Sequence, residues 1–157
     1  MSGNVHHRKA TRVLIGEPDG LICAQLRECI RSIAEVQQQR DFVGARGRVL
    51  DASYDFVISN LRLGAYNGVH LVYLAAAHRV PARFIVYADH HDSGLAREVQ
   101  DAGAFYETRD CLLVTLTAYL SGTLPVRDRR TPGVFERRTT FRGGRQCWDH
   151  YIGRRMS

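Results

Sequence analysis

Tyr54-Asp55-Phe56-Val57-Ile58-Ser59-Asn60, followed by Leu61-Arg62-Leu63-Gly64-Ala65-Tyr66-Asn67-Gly68, is the stretch whose reading decides the fold. Phe56, Val57 and Ile58 form an unbroken apolar run rich in β-formers, and turn residues follow it, which is the signature of a buried strand emerging into a loop. Asn60 stands at the exit of that strand.

The same grammar recurs on both sides. Arg12-Val13-Leu14-Ile15-Gly16 is a short apolar run ended by Glu17-Pro18-Asp19-Gly20, and Phe84-Ile85-Val86-Tyr87-Ala88 is another, ended by the polar loop Asp89 to Ser93. Between them lie stretches with helical spacing: Leu21 to Ile33, Val69 to His78 ahead of Pro81, and Leu95 to Ala102 ahead of Gly103. Glu35 to Arg40 is polar and suits at best an edge strand, with a short helix expected around Arg48 to Ala52. Ala104 to Thr108 is expected as a short fifth strand and Cys111 to Leu120 as the last helix.

Strands alternating with helices of about ten residues indicate βαβ units and a parallel sheet covered on both faces. The expected fold is therefore α/β, a flavodoxin-like (βα)5 doubly wound sheet in the order 2-1-3-4-5. Ligands of such sheets bind beyond the carboxyl ends of the strands, near the switch in strand order. That rule gathers Glu17, Pro18 and Asp19, Asn60, Tyr87, and Thr108 and Arg109 into one candidate pocket.

Composition agrees with one domain. The 157 residues are 45% hydrophobic and 24% charged, as in globular chains. No apolar run nears the ~20 residues of a membrane span, and the polar start, Met1 to Arg12, lacks the apolar stretch of a secretory signal. A cytoplasmic protein without a membrane partner is expected. Cys23, Cys29, Cys111 and Cys147 show no CxxC pair or metal-ligand spacing, and His90-His91-Asp92 reads as a loop after a strand, so no metal site is expected.

The net charge of +6 is uneven: residues 1–121 hold 13 basic and 13 acidic residues, whereas 122–157 hold 9 arginines and 3 acids. The division expected is a flexible N-terminus over 1–11, a domain over 12–121, and an Arg-rich tail over 122–157, disordered or loosely docked and too short for a winged-helix output domain.

Residues 12–121 resemble the receiver domain of bacterial two-component response regulators. The resemblance rests on Val13-Leu14-Ile15-Gly16-Glu17-Pro18-Asp19, on Asp55-Phe56-Val57-Ile58-Ser59-Asn60-Leu61-Arg62-Leu63 with Gly68, on Phe84-Ile85-Val86-Tyr87-Ala88, and on the turn Ala102-Gly103-Ala104, in order and correctly spaced. The family implies phosphotransfer from a histidine kinase to an aspartate beside Mg²⁺. A small hydroxyl residue on the fourth strand and a lysine on the fifth sense the phosphoryl group.

Carried over position by position, most of that machinery is absent. Asn60 occupies the acceptor position, Pro18 the second acid of the cluster, Tyr87 the small hydroxyl, and Thr108 or Arg109 the lysine; Glu17 keeps the first acid. An amide is a poor nucleophile, and a hard Mg²⁺ ion needs several oxygen ligands, so Mg²⁺ binding is expected to be lost or weak and no other cofactor is implied. A shifted register would instead make Asp55 the acceptor.

The expectation is an atypical, non-enzymatic receiver-like protein acting through protein contacts, as a homodimer or with a signalling partner such as a histidine kinase or another regulator. Phe105 and Tyr106 occupy the place of the family's switch aromatic. Leu112, Leu113, Leu116, Tyr119 and Leu120, in an uncharged last helix, are a candidate interface. Arg137, Arg138, Arg142 and Arg145, with Phe141 and glycines among them, suit phosphate contacts and stacking, so nucleic acid is a further candidate partner. Two alternatives stay open: a phosphorelay receiver with a non-standard acceptor, and a nucleic-acid regulator acting through the tail.

Overall fold

The computed structural model describes residues 10–122. The flexible N-terminus and the Arg-rich tail of the sequence reading fall, but for their innermost residues, outside the described residues.

Seven strands and five helices follow one another in the described part: β1 (Thr11–Gly16), α1 (Gly20–Ile30), β2 (Ala34–Gln39), α2 (Phe42–Asp51), β3 (Phe56–Asn60), β4 (Arg62–Leu63), β5 (Tyr66–Asn67), α3 (Val69–Ala77), β6 (Arg83–Ala88), α4 (Ser93–Asp101), β7 (Phe105–Thr108) and α5 (Arg109–Ser121). Five strands form one parallel sheet in the order β2-β1-β3-β6-β7, the doubly wound arrangement expected from the sequence. β4 and β5 pair as a small antiparallel hairpin inside the loop after β3. Its turn passes through Gly64, at φ +68°, a conformation that glycine adopts without strain.

Side chains of successive strand residues point to opposite faces, and the apolar core divides accordingly. Val13, Ile15, Phe56, Ile58, Ile85 and Phe105 pack beneath α1 and α5, against Leu26, Ile30, Leu112 and Leu116. Leu14, Val57, Phe84, Val86 and Tyr106 face the other way, toward α2, α3 and α4. Both faces are covered, which is why the central strands lack polar alternation.

Helix starts follow local chemistry. Asp19, Asp41 and Asp92 each cap a helix by accepting backbone N–H groups, Asp19 Oδ1 from Leu21 (2.8 Å) and Ile22 (3.1 Å), Asp41 Oδ1 from Gly44 (2.7 Å), and Asp92 Oδ1 from Gly94 (2.8 Å) and Leu95 (3.0 Å). The Asp41 cap makes α2 begin at Phe42, well before the helix expected around Arg48. Gly44 and Gly47 dilute its apolar periodicity, so the pattern alone understated it. α1 ends at Ile30 rather than Ile33, because the chain turns there with Ile33 N–H bonded to the Ile30 carbonyl at 3.0 Å.

Gly68 sets the junction between β3 and α3. Its N–H bonds to the Leu61 carbonyl at 2.7 Å, and a β-carbon built there would lie 2.3 Å from the Asn60 carbonyl oxygen and 2.7 Å from Ser59 Oγ. Its φ of −58° is ordinary, so the constraint is steric. Gly68→Ala is expected to lower stability in urea unfolding by about 1–3 kcal/mol, the usual range for forcing an extra carbon into a packed interior.

Candidate functional site

Register brings the candidate residues together. Gly16 pairs with Ser59, Asn60 with Tyr87, and Tyr87 with Glu107. One step beyond Gly16 the chain reaches Glu17, so Glu17, Asn60, Tyr87 and Glu107 form a transverse row, which alternation turns to the α1–α5 face.

Glu17, at one end of that row, is where its hydrogen bonds converge. It is 1% exposed, yet it carries a carboxyl group. Three donors from three elements meet it. Asp19 N–H donates to Oε1 at 2.7 Å, Asn60 Nδ2 donates to Oε2 at 2.8 Å, and the Tyr87 hydroxyl also donates to Oε2. Burying a carboxylate is expensive unless its lone pairs are met, and here they are met by neutral groups, with no counter-charge bonded to it among the described residues.

Asn60 uses both ends of its amide. While Nδ2 donates to Glu17, Oδ1 accepts the Arg62 N–H at 2.9 Å. An aspartate could still accept from Arg62, but it would set an acceptor oxygen against Glu17. The amide is therefore the group this geometry requires.

Tyr87 is 0% exposed and lies in the core beneath α1. Burial, and next the hydrogen bond to Glu17, push its phenol well above the ordinary range. No buried side-chain polar atom among the described residues lacks a partner. Glu17, Asn60 and Tyr87 thus form a closed, fully satisfied unit.

The remaining residues of the expected pocket do not join it. Pro18 is exposed and offers no donor or ligand atom from its side chain. Asp19 spends its side chain on capping α1 and reaches Glu17 only through its backbone. Thr108 pairs with Ala88 and precedes α5, so alternation turns it away from the row. Arg109 opens α5 and forms an ion pair with Asp89, Nη1 to Oδ1 at 3.1 Å. Neither occupies the place beside Tyr87; Glu107 does, accepting the Tyr119 hydroxyl. Sequence reasoning missed Glu107 because the length of the fifth strand was ambiguous, and only counting the register through to β7 would have found it.

The shifted register with Asp55 as acceptor fails on geometry. Asp55 precedes β3 at the opposite end of the sheet, with Oδ2 accepting the Arg12 N–H at 2.8 Å and its own N–H bonded to the Arg12 carbonyl at 2.9 Å. Five residues of strand put it about 16 Å from Asn60.

The two aromatic candidates of the fifth strand part company. Phe105 packs edge-on against Tyr119, ring centroids 5.7 Å apart. Tyr106, on the other face, is buried and ties down the loop after β6, its hydroxyl donating to the His90 carbonyl (3.1 Å) and accepting the Asp92 N–H (3.4 Å).

The candidate interface on α5 needs correction. Leu112 and Leu116 are 0% exposed and belong to the core, and Leu113, Tyr119 and Leu120 are half-buried against it. Val114, at 59% exposed, is the large apolar side chain this helix offers to solvent. An uncharged helix looks apolar all round in sequence, but threonines, Ala118 and Ser121 fill much of its outer side. Arg137, Arg138, Arg142 and Arg145 lie outside the described residues.

No protein-family model matches the sequence, and no curated protein matches it significantly. Solved structures do. The receiver-domain protein (CheY-like) of Methanospirillum hungatei matches at 17% identity and TM-score 0.62, over 71% of this chain and 94% of that one. The RcsB response regulator of Salmonella typhimurium matches at 14% identity and TM-score 0.64, over 71% of this chain. A Burkholderia pseudomallei response regulator, solved with a phosphorylated aspartic acid and a calcium ion, matches at 19% and TM-score 0.63 over the same share. The chain spans 58% of the Salmonella protein and 66% of the Burkholderia one. The fold is that of response-regulator receiver domains.

Tyr87→Phe removes one donor from a buried carboxyl group, and a loss of about 1–3 kcal/mol is expected in urea unfolding. The wild type has a second signature. Its folded-state phenol is raised above the ordinary value of 10.0, so unfolding releases that proton above about pH 10 and stability falls as pH rises. The Tyr87→Phe variant should lose less stability than the wild type over that alkaline range.

Proposed function

We propose that this chain is an atypical receiver-type regulator of two-component signalling, working without phosphorylation and without catalysis, through protein–protein contact. The observation that carries this reading is the sealed carboxyl group of Glu17. Asn60 and Tyr87 both donate to it at the strand ends where, in the fold family, the acceptor aspartate and the phosphoryl-sensing hydroxyl stand.

The donor set does not fit a divalent cation. Mg²⁺ takes near-octahedral oxygen ligands and usually one or two carboxylates. Here Glu17 has both oxygens engaged, Asp19 Oδ1 holds two backbone N–H groups, and Asn60 turns its nitrogen toward Glu17. Displacing those donors would leave Asn60 and Tyr87 unpaired. Weak or absent Mg²⁺ binding is part of the proposal.

With the pocket closed, information has to enter and leave through the surface. A second copy of the chain or another signalling protein, a kinase or a regulator, is the partner class this fold serves. No helix among the described residues is long and apolar enough to cross a membrane.

The test is incubation with acetyl phosphate and Mg²⁺, read by intact mass. No covalent phosphate is expected; a hydroxylamine-labile phosphate adduct would sink the proposal. Asn60→Asp provides the counterpart. Placing a second carboxyl beside Glu17 raises the pair's shared titration, so the variant should lose about 1–3 kcal/mol at neutral pH. The deficit should narrow as acid protonates the pair, because a folded-state carboxyl with a raised pKa destabilises only where it is ionised. A deficit that does not change with pH would remove the repulsion argument.

A further inference from the structure

Asn67-Gly68 stands in the loop after β3, and the packing there calls for both residues. Asn67 Oδ1 accepts the Val69 N–H at 2.9 Å, meeting an otherwise open donor at the start of α3. Gly68 has no room for a β-carbon beside the Asn60 carbonyl. The same pair is chemically labile. With no side chain on Gly68 to hinder the approach, its backbone nitrogen can close on the Asn67 side-chain carbonyl to give a cyclic imide. The bond from Gly68 N to Asn67 Cγ forms, the Cγ–Nδ2 bond breaks, and ammonia leaves with the proton that Gly68 gives up. Water then opens the ring. Opening at Cγ leaves aspartate at 67, and opening at the main-chain carbonyl leaves isoaspartate, with the backbone rerouted through the side chain. No reactant besides water is consumed.

In the folded chain that nitrogen is engaged. Gly68 is buried and its N–H donates to the Leu61 carbonyl at 2.7 Å, a bond that attack on Asn67 has to break. The gate over it is small. β4 and β5 contribute two residues each, Leu63 is buried beneath them, and Tyr66 stacks on Phe42 with ring centroids 4.7 Å apart. So short a hairpin belongs to the low-stability end of a structure. It also reaches the Glu17 unit, because Arg62, which pairs with Asn67, donates its N–H to Asn60 Oδ1 at 2.9 Å.

The two products differ in fit. Aspartate keeps an acceptor for Val69 and sets a negative charge at the start of α3, whose first turn holds no acid. Isoaspartate lengthens the main chain by one carbon next to Gly68, where the Asn60 carbonyl and Ser59 Oγ already crowd the backbone. We propose that Asn67 is a self-modification site gated by the β4–β5 hairpin, and that its isoaspartyl form holds the loop open and withdraws the Arg62 N–H from Asn60.

The full chain is held in mildly alkaline buffer, native and in urea, and residues 61–68 are mapped by mass spectrometry with isoaspartyl methyltransferase labelling. Native Asn67 is expected to deamidate about tenfold more slowly than in urea. Gly64→Ala strains only the turn, since φ there is +68° and nothing lies within 4 Å of the added carbon; Tyr66→Ala removes the stack. Each should speed the native reaction about fivefold. Protein carrying isoaspartate should exchange the amides of residues 61–68 about tenfold faster than wild type, whereas Asn67→Asp should exchange like wild type. Equal deamidation in buffer and urea overturns the gate. So do native rates that neither variant changes, or rates that climb with sub-denaturing urea in step with global unfolding. Wild-type exchange in the isoaspartyl protein overturns the held-open loop.

Discussion

A carboxyl group buried at the end of β1 ties together three strand ends of this molecule. Glu17 is buried and pairs with no cation among the described residues, so hydrogen bonds from its neighbours carry its stability there. Those bonds come from the turn after β1, from β3 and from β6, and they draw three strand ends onto one point. The identities at 60 and 87 are coupled through it. Asn60 is the residue that donates to Glu17 and accepts from Arg62 at once, and Tyr87 is long enough to carry a hydroxyl across from β6 while its ring fills the core. Changing either leaves the other facing an unmet acceptor.

The strand ends that the sequence gathers into a candidate pocket are filled by the chain's own side chains, Glu17, Asn60 and Tyr87. α5 contributes less apolar surface than its composition suggests, because Leu112 and Leu116 are core residues. What the outer side of α5 presents instead is Asp110, Val114, Thr117 and Ser121, a mostly polar set.

Much of the fold was legible because continuous apolar runs such as Val13–Ile15, Phe56–Ile58 and Phe84–Val86 belong to strands covered on both faces, and polar or glycine-containing loops follow them. Asn60 and Tyr87 were legible for the same reason, as residues at the ends of those runs. The true start of α2 was hidden by Gly44 and Gly47, and the β4–β5 hairpin by strands only two residues long. Glu107 was missed and Thr108 and Arg109 misplaced because the fifth strand is short, and a shift of one residue exchanges one sheet face for the other.

By itself, the sequence determined the class of fold, the order of its elements and the presence of an amide, Asn60, at the end of β3, since these depend on local pattern and residue chemistry. Tertiary structure decided what that amide does. A hydrogen bond between residues 17 and 87 joins atoms seventy positions apart in the chain, and only the parallel register of β1, β3 and β6 brings them together. The direction of the Asn60 amide, the capping role of Asp19 and the burial of Leu112 and Leu116 were settled in the same way, by which neighbours the packed sheet and helices supplied.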